Sequence, residues 1–79
     1  MASEHTIITG RQPRYARVAN VLVREIKSGR FPVGSLLPTE AQLGERFDVS
    51  RITIREALRR LEEMGLITKV PGIGSRVEA

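Results

Sequence analysis

Two helix start signals lie between Thr39 and Gly65, and only three residues separate the end of one helical pattern from the start of the next. Thr39-Glu40-Ala41-Gln42 has the form of a capping box. The threonine oxygen can cap a backbone N–H three residues on, and the glutamine can reach back. This predicts a helix over 40–47, with Ala41, Leu43 and Phe47 as its apolar contacts. Asp48-Val49-Ser50 is a tight break, and Ser50 suits the N-cap of a helix over 51–64. Ile54, Ala57, Leu58, Leu61 and Met64 recur at helical spacing and predict its buried stripe, closed by Gly65. Two helices joined by so short a break must cross, which is the helix-turn-helix plan.

The flanking segments complete a fold. Tyr15, Val18, Ala19, Leu22 and Ile26 form one apolar stripe and predict a helix over 14–28, stopped at Gly29. Phe31-Pro32-Val33-Gly34 reads as a turn, and Ser35-Leu36-Leu37 as a short extended piece ended by Pro38. After Gly65, residues 66–70 and 75–78 read as strands around the turn Pro71-Gly72-Ile73-Gly74. The expected fold is mainly α with a small β-hairpin: helix, short strand, helix, helix and a two-stranded wing, in one domain over 14–79. Residues 1–13 show no period and read as a flexible tail.

At 79 residues the chain has room for one small domain, and its core is modest. It has no cysteine, so disulfides and thiolate metal sites are excluded. Its one histidine, His5, falls in the tail, and no acids have the arrangement of a catalytic pair. No metal-ligand spacing and no cofactor motif is present; Gly72-Ile73-Gly74 lacks the third glycine and following helix of a dinucleotide fingerprint. Without an apolar run of spanning length or a targeting signal, the expected location is the cytoplasm. The formal net charge is +4. Residues 11–30 carry an excess of five positive charges and residues 51–79 an excess of two, whereas residues 31–50 are net acidic by two. A basic balance suits a polyanion. Aromatic residues are only 4%, which leaves few stacking platforms for single-stranded RNA.

In helix-turn-helix proteins the first turn of the second helix meets the base edges. Here that turn offers Ser50, Arg51, Ile52, Thr53 and Arg55. The face opposite the predicted stripe holds Ile52, Arg55, Glu56 and Arg59, with Arg51 at its edge. Arg51 and Arg55 are like-charged neighbours at the positive end of a helix dipole, an arrangement that opposes stability and that an anionic partner relieves. Arginine also pairs bidentately with guanine in the major groove, and Ile52 suits a thymine methyl. Plainer readings stand beside these. Arg59 with Glu63, and Glu56 with Arg60, have the spacing of surface ion pairs. Ile52 could be covered by the wing or the tail. The Gly72 turn could be only a hairpin turn. A winged helix used as a protein-interaction module is the competing function; it predicts an apolar or acidic outward face, which Ile52 favours and the two arginines oppose.

From Tyr15 to Val77 the chain resembles the N-terminal domain of the GntR family of bacterial transcription regulators. The resemblance runs through Ile26-Lys27-Ser28-Gly29, Pro32-Val33-Gly34 and Leu37-Pro38-Thr39-Glu40. Its most specific part is Val49-Ser50-Arg51-Ile52-Thr53-Ile54-Arg55-Glu56-Ala57-Leu58, followed by Gly65-Leu66-Ile67 and Gly72-Ile73-Gly74. The wing loop and second helix look most like the HutC-type branch. The resemblance implies a winged helix that binds a palindromic DNA operator as a dimer. Arg51, Thr53 and Arg55 would then touch bases and phosphates, Thr39 and Ser50 would hold phosphates, and Gly72 would approach the minor groove. It also implies that a C-terminal domain binding a small-molecule effector and forming the homodimer is absent from this chain, which alone would be a monomer or a weak dimer on DNA. Two departures bear on the operator. Ala41 stands where some members have arginine, which removes one potential contact, and Ser75-Arg76 replaces a common threonine and aromatic pair.

Overall fold

The computed structural model describes residues 12–78. Its helices are α1 (Arg14–Lys27), α2 (Glu40–Phe47) and α3 (Arg51–Glu63), followed by strands β1 (Ile67–Val70) and β2 (Gly74–Val77). The tail expected over 1–13 lies outside the described residues, except for Gln12 and Pro13.

All three helices stop in the same way. After α1, Gly29 N–H donates to the Ile26 carbonyl and Arg30 N–H to that of Glu25. After α3, Gly65 and Leu66 donate to Glu62 and Leu61. After α2, Asp48 and Val49 donate to Glu45 and Gly44. Each is a Schellman ending, with one residue left-handed. Glycine fills that place twice; Asp48, at φ 57°, fills it in the inter-helix turn. Aspartate is among the few residues that tolerate this conformation. The tight turn also accounts for Gly44, because a Cβ there would stand 3.1 Å from the Val49 carbonyl oxygen.

The stripe of α1 packs on that of α3. Leu22, Leu43, Ile54, Leu61 and Val77 are fully buried, and Val18, Ala19, Ile26, Leu37, Ala57, Leu58, Leu66 and Ile67 complete the core. Two expected core positions fall outside it. Met64 is 52% exposed. It is the C-cap of α3, one turn beyond Leu61, where the chain reverses toward β1. Ala41 is exposed because it points away from Leu43, two helical positions on. Tyr15, at the start of α1, is only partly buried against the core.

β1 and β2 pair antiparallel, with Ile67 opposite Val77 and Lys69 opposite Ser75. The expected short strand at 35–37 is a single bridge, Leu36 to Arg76. Backbone bonds between Leu37 and Ser75 and between Val77 and Ser35 dock it on β2. The turn closes with Ile73 N–H donating to the Val70 carbonyl, Pro71 at its second position and Gly72 at φ 74°. That is a type II turn, whose third position needs the positive φ that glycine supplies.

Candidate nucleic-acid interface

Both helix starts are built as their sequences direct. Thr39 Oγ1 accepts from Gln42 N–H at 3.1 Å, and Gln42 Oε1 accepts from Thr39 N–H at 2.9 Å. Ser50 Oγ accepts from Thr53 N–H at 3.2 Å and lies 3.1 Å from the Thr53 hydroxyl. Thr53 is half-buried. The backbone N–H groups of Arg51 and Ile52 have no acceptor among the described residues. Two free amides at the positive end of a 13-residue helix form a place for an anion.

A cleft lies between the N-terminus of α2, the flank of α3 and the hairpin, and it brings together Thr39, Arg51, Lys69 and Gly72. A second cleft, on the other side of Leu58, holds Arg55, Arg59 and again Lys69. Ile52 is 71% exposed on the outward face of α3, and Ile73 is 66% exposed at the hairpin tip. Neither the hairpin nor any other described residue covers Ile52; the tail, the other cover the sequence suggests, lies outside the described residues.

The cations of this face are not equivalent. Arg55 Nε donates to Glu40 Oε1 at 3.0 Å, so the first residue of α2 supplies an anion to the second turn of α3. This corrects half of the expectation drawn from the arginine pair: the repulsion at the helix start is partly relieved within the chain. Arg59 pairs with Glu56, one turn back, not with Glu63 as the spacing suggested. The hydrogen bond from Arg59 holds the Glu56 carboxyl below its ordinary range and raises the arginine further. Arg60 has no ion pair among the described residues. Arg51 and Lys69 have none either.

Arg76 lies away from this interface. Alternation along β2 puts Ser75 and Val77 toward the helices and Arg76 on the opposite face of the hairpin. There its Nε donates to Glu78 Oε2 at 3.1 Å. The Glu78 carboxyl lies below its ordinary range, chiefly through a hydrogen bond from Thr68 and then through Arg76.

Away from this face, Arg46 makes a two-pronged bond to Glu25 that ties α2 to α1, with Arg30 beside it. Arg46 also stacks over Phe47, its guanidinium carbon 4.7 Å from the ring centre. The hydrogen bond from Arg46 keeps the Glu25 carboxyl below its ordinary range. Among the described residues there is no cluster of potential metal ligands, and no helix is long and apolar enough to cross a membrane.

Residues 14–77 match the family model of bacterial regulatory proteins, gntR family. The chain belongs to the GntR family. It is 38% identical over 69 residues to the mannosyl-D-glycerate transport/metabolism system repressor MngR of Escherichia coli, covering 87% of this chain and 29% of that protein. It is 40% identical over 65 residues to the histidine utilization repressor of Pseudomonas aeruginosa, covering 82% and 26% respectively. The GntR-family chain thus spans less than a third of these curated relatives. Among solved structures, AraR(DBD) in complex with operator ORE1 superposes with a TM-score of 0.82 at 37% identity, over 85% of this chain and 82% of that one. The winged-helix architecture is therefore shared with a protein crystallised on DNA.

Sequence reasoning missed two residues of this face and one that shapes the inter-helix turn. Glu40 was visible only as a cap neighbour, because its partner lies 15 positions away. Gly44 was an unremarked glycine inside a helix. Lys69 could have been found, since strand alternation places it on the same face of β1 as Ile67.

Proposed function

We propose that this chain is a sequence-specific DNA-binding domain of a bacterial transcription regulator. It reads one half-site of a palindromic operator through α3, with the hairpin on the flanking backbone or minor groove. The observation that carries the reading is Arg51, an exposed arginine without a carboxylate partner among the described residues, at a helix start with two free amides. In this reading Arg51 and Arg55 reach base edges or phosphates, and Ile52 meets a thymine methyl. Thr53 and the capped N-termini at Thr39 and Ser50 lie against phosphates. Arg59 exchanges Glu56 for the DNA, and Gly72 lets the hairpin tip approach the minor groove. In the longer relatives' arrangement, a further domain would supply the homodimer contact and an effector site. Residues 14–77 taken alone would bind as a monomer or weak dimer, because without such a linkage the second half-site gains little from effective concentration.

The exposed Ile52 supports one other reading, a protein-interaction surface on the same helix. Selection from a random duplex pool at two salt concentrations, repeated with Arg51→Ala and Arg55→Ala, separates the two. Enrichment of a half-site, relaxed at one position in one variant, supports base readout, and a loss of about 1–3 kcal/mol fits one bidentate contact. No retention of duplex even at low salt rejects DNA binding and leaves the protein partner.

A further inference from the structure

We infer that Lys69 of β1 is a phosphate anchor, placed to hold the one sugar-phosphate strand that separates the groove read by α3 from the groove approached by the hairpin tip. The inference deepens the proposed DNA-binding reading and rests on it. Its ground is the position of Lys69 in the sheet. On the helix-facing side of the hairpin, Ile67 and Val77 are opposite each other and buried. One alternation nearer the tip, the same side carries Lys69 opposite Ser75, which is still only 8% exposed. The lysine therefore leaves the core layer at its rim, between α3 and the turn. It lines both clefts described above, the one holding Thr39 and Arg51 and the one holding Arg55 and Arg59.

Electrostatics leave the same residue free, together with Arg51. Four cations line these two clefts: Arg51, Arg55, Arg59 and Lys69. Arg55 and Arg59 are held by Glu40 and Glu56. Glu62 lines the second cleft but makes no ion pair with Lys69. An exposed lysine in a concave, half-apolar rim loses little on meeting an anion. It is a compact point charge, suited to a phosphate oxygen rather than to bidentate base recognition. Adjacent grooves of a duplex share one backbone wall. If α3 lies in one and the Gly72 turn over the next, that wall runs past β1.

The test is the salt dependence of binding, measured by titration with a duplex selected from the random pool and with an unselected duplex of equal length. Each phosphate contact contributes about 0.9 to the slope of log affinity against log salt. For Lys69→Gln, the wild-type-to-variant affinity ratio should therefore be about 3-fold larger at roughly 50 mM than at roughly 200 mM salt, and equally so on both duplexes. Lys69→Arg should restore the slope. Arg76→Gln, which removes the same charge from the opposite face of the hairpin, should leave it unchanged. Thermal unfolding of Lys69→Gln should match wild type, because the side chain is exposed. An unchanged slope in Lys69→Gln overturns the inference, whether because Glu62 neutralises the lysine or because the backbone runs elsewhere. A loss confined to the selected duplex overturns it as well, since Lys69 would then read a base. An equal slope change in Arg76→Gln overturns it by reducing the effect to net charge. Failure of the wild type to enrich any sequence refutes operator reading instead, and the slope on unselected duplex still decides the role of Lys69.

Discussion

Arg55 and Glu40 make a coupled pair whose separation can be measured. In the free chain their bond is 3.0 Å long, with the arginine side chain 58% exposed and the glutamate 28% exposed. A pair so open to solvent contributes about 0.2–1 kcal/mol to folding. Either single substitution should thus lower the melting temperature by no more than about 8 °C in a domain of this size. On DNA the asymmetry is larger. Arg55→Ala removes a contact of about 1–3 kcal/mol. It also strips Glu40 of its neutralising partner at the edge of a polyanion. A carboxylate about 4 Å from a phosphate is repelled by about 1 kcal/mol even at the dielectric of water. Glu40→Gln removes that repulsion, while the terminal nitrogens of Arg55, which Glu40 does not engage, keep their contact.

The expected result is therefore non-additive. Arg55→Ala should cost about 1 kcal/mol less in a Glu40→Gln background than in the wild type, a difference of about fivefold in affinity. The assay is fluorescence anisotropy with a labelled duplex on wild type, both single variants and the double variant, each checked for folding by circular dichroism. Strict additivity, within about 0.3–0.5 kcal/mol, would refute the reasoning. It would mean that Glu40 faces away from the bound phosphates, and that the bond to Arg55 is incidental to binding.

The remaining expectations concern the scaffold. Leu61→Ala, at a fully buried position between α1 and α3, should cost about 2–5 kcal/mol and abolish a two-state melt at ordinary temperature; a loss under 1 kcal/mol would mean that the packing relaxes around it. Ser50→Ala removes the α3 cap and should cost about 0.5–2 kcal/mol in chemical denaturation, with a parallel loss of DNA affinity that stability alone does not explain. Glu25, whose folded carboxyl titrates below its ordinary value of 4.5, contributes stability that is complete above that pH and disappears as pH falls through the folded value. Melting temperature followed from neutral pH into that acid range should fall less steeply in Glu25→Gln than in wild type; parallel curves would show that the Arg46 clamp does not hold in solution.

What the sequence disclosed was whatever is decided within a few residues. The capping box at Thr39, the Ser50 cap, the glycine stops and the Pro71-Gly72 turn are local contests between backbone and side chain, so their signals can be read from single positions. Helix bounds follow from them almost to the residue. The periodic stripes were legible for the same reason, but they show only which side of a helix is apolar, not where its neighbour ends. Met64 continues the stripe beyond the reach of α1 and is exposed. Contacts made across elements stayed hidden. Arg55 with Glu40 and Arg46 with Glu25 span 15 and 21 positions. Their meeting depends on the crossing of the helices, which no local rule fixes.

That hidden layer changes how the charge of the chain is understood. A net charge of +4 and a basic third helix suggest a face of interchangeable cations. Two carboxylates divide them instead. Glu40 is the first residue of α2 and takes Arg55; Glu56, within α3, takes Arg59. Each carboxylate holds its arginine extended in one direction, which lowers the entropy lost on binding; Arg55 bonds Glu40 through Nε and keeps its terminal nitrogens for a ligand, whereas Arg59 must first break its bond to Glu56. A nonspecific stretch of duplex offers only phosphates in return. A base edge correctly placed for a bidentate contact offers two aligned acceptors. Paired arginines are thus biased toward the site that compensates them best, while unpaired Arg51 and Lys69 attract any duplex. Replacing Glu56 by glutamine should accordingly raise affinity for unrelated duplex more than for selected duplex, and narrow the ratio between them. A ratio that stays constant, with both affinities rising together, would show that Glu56 tunes only the overall field.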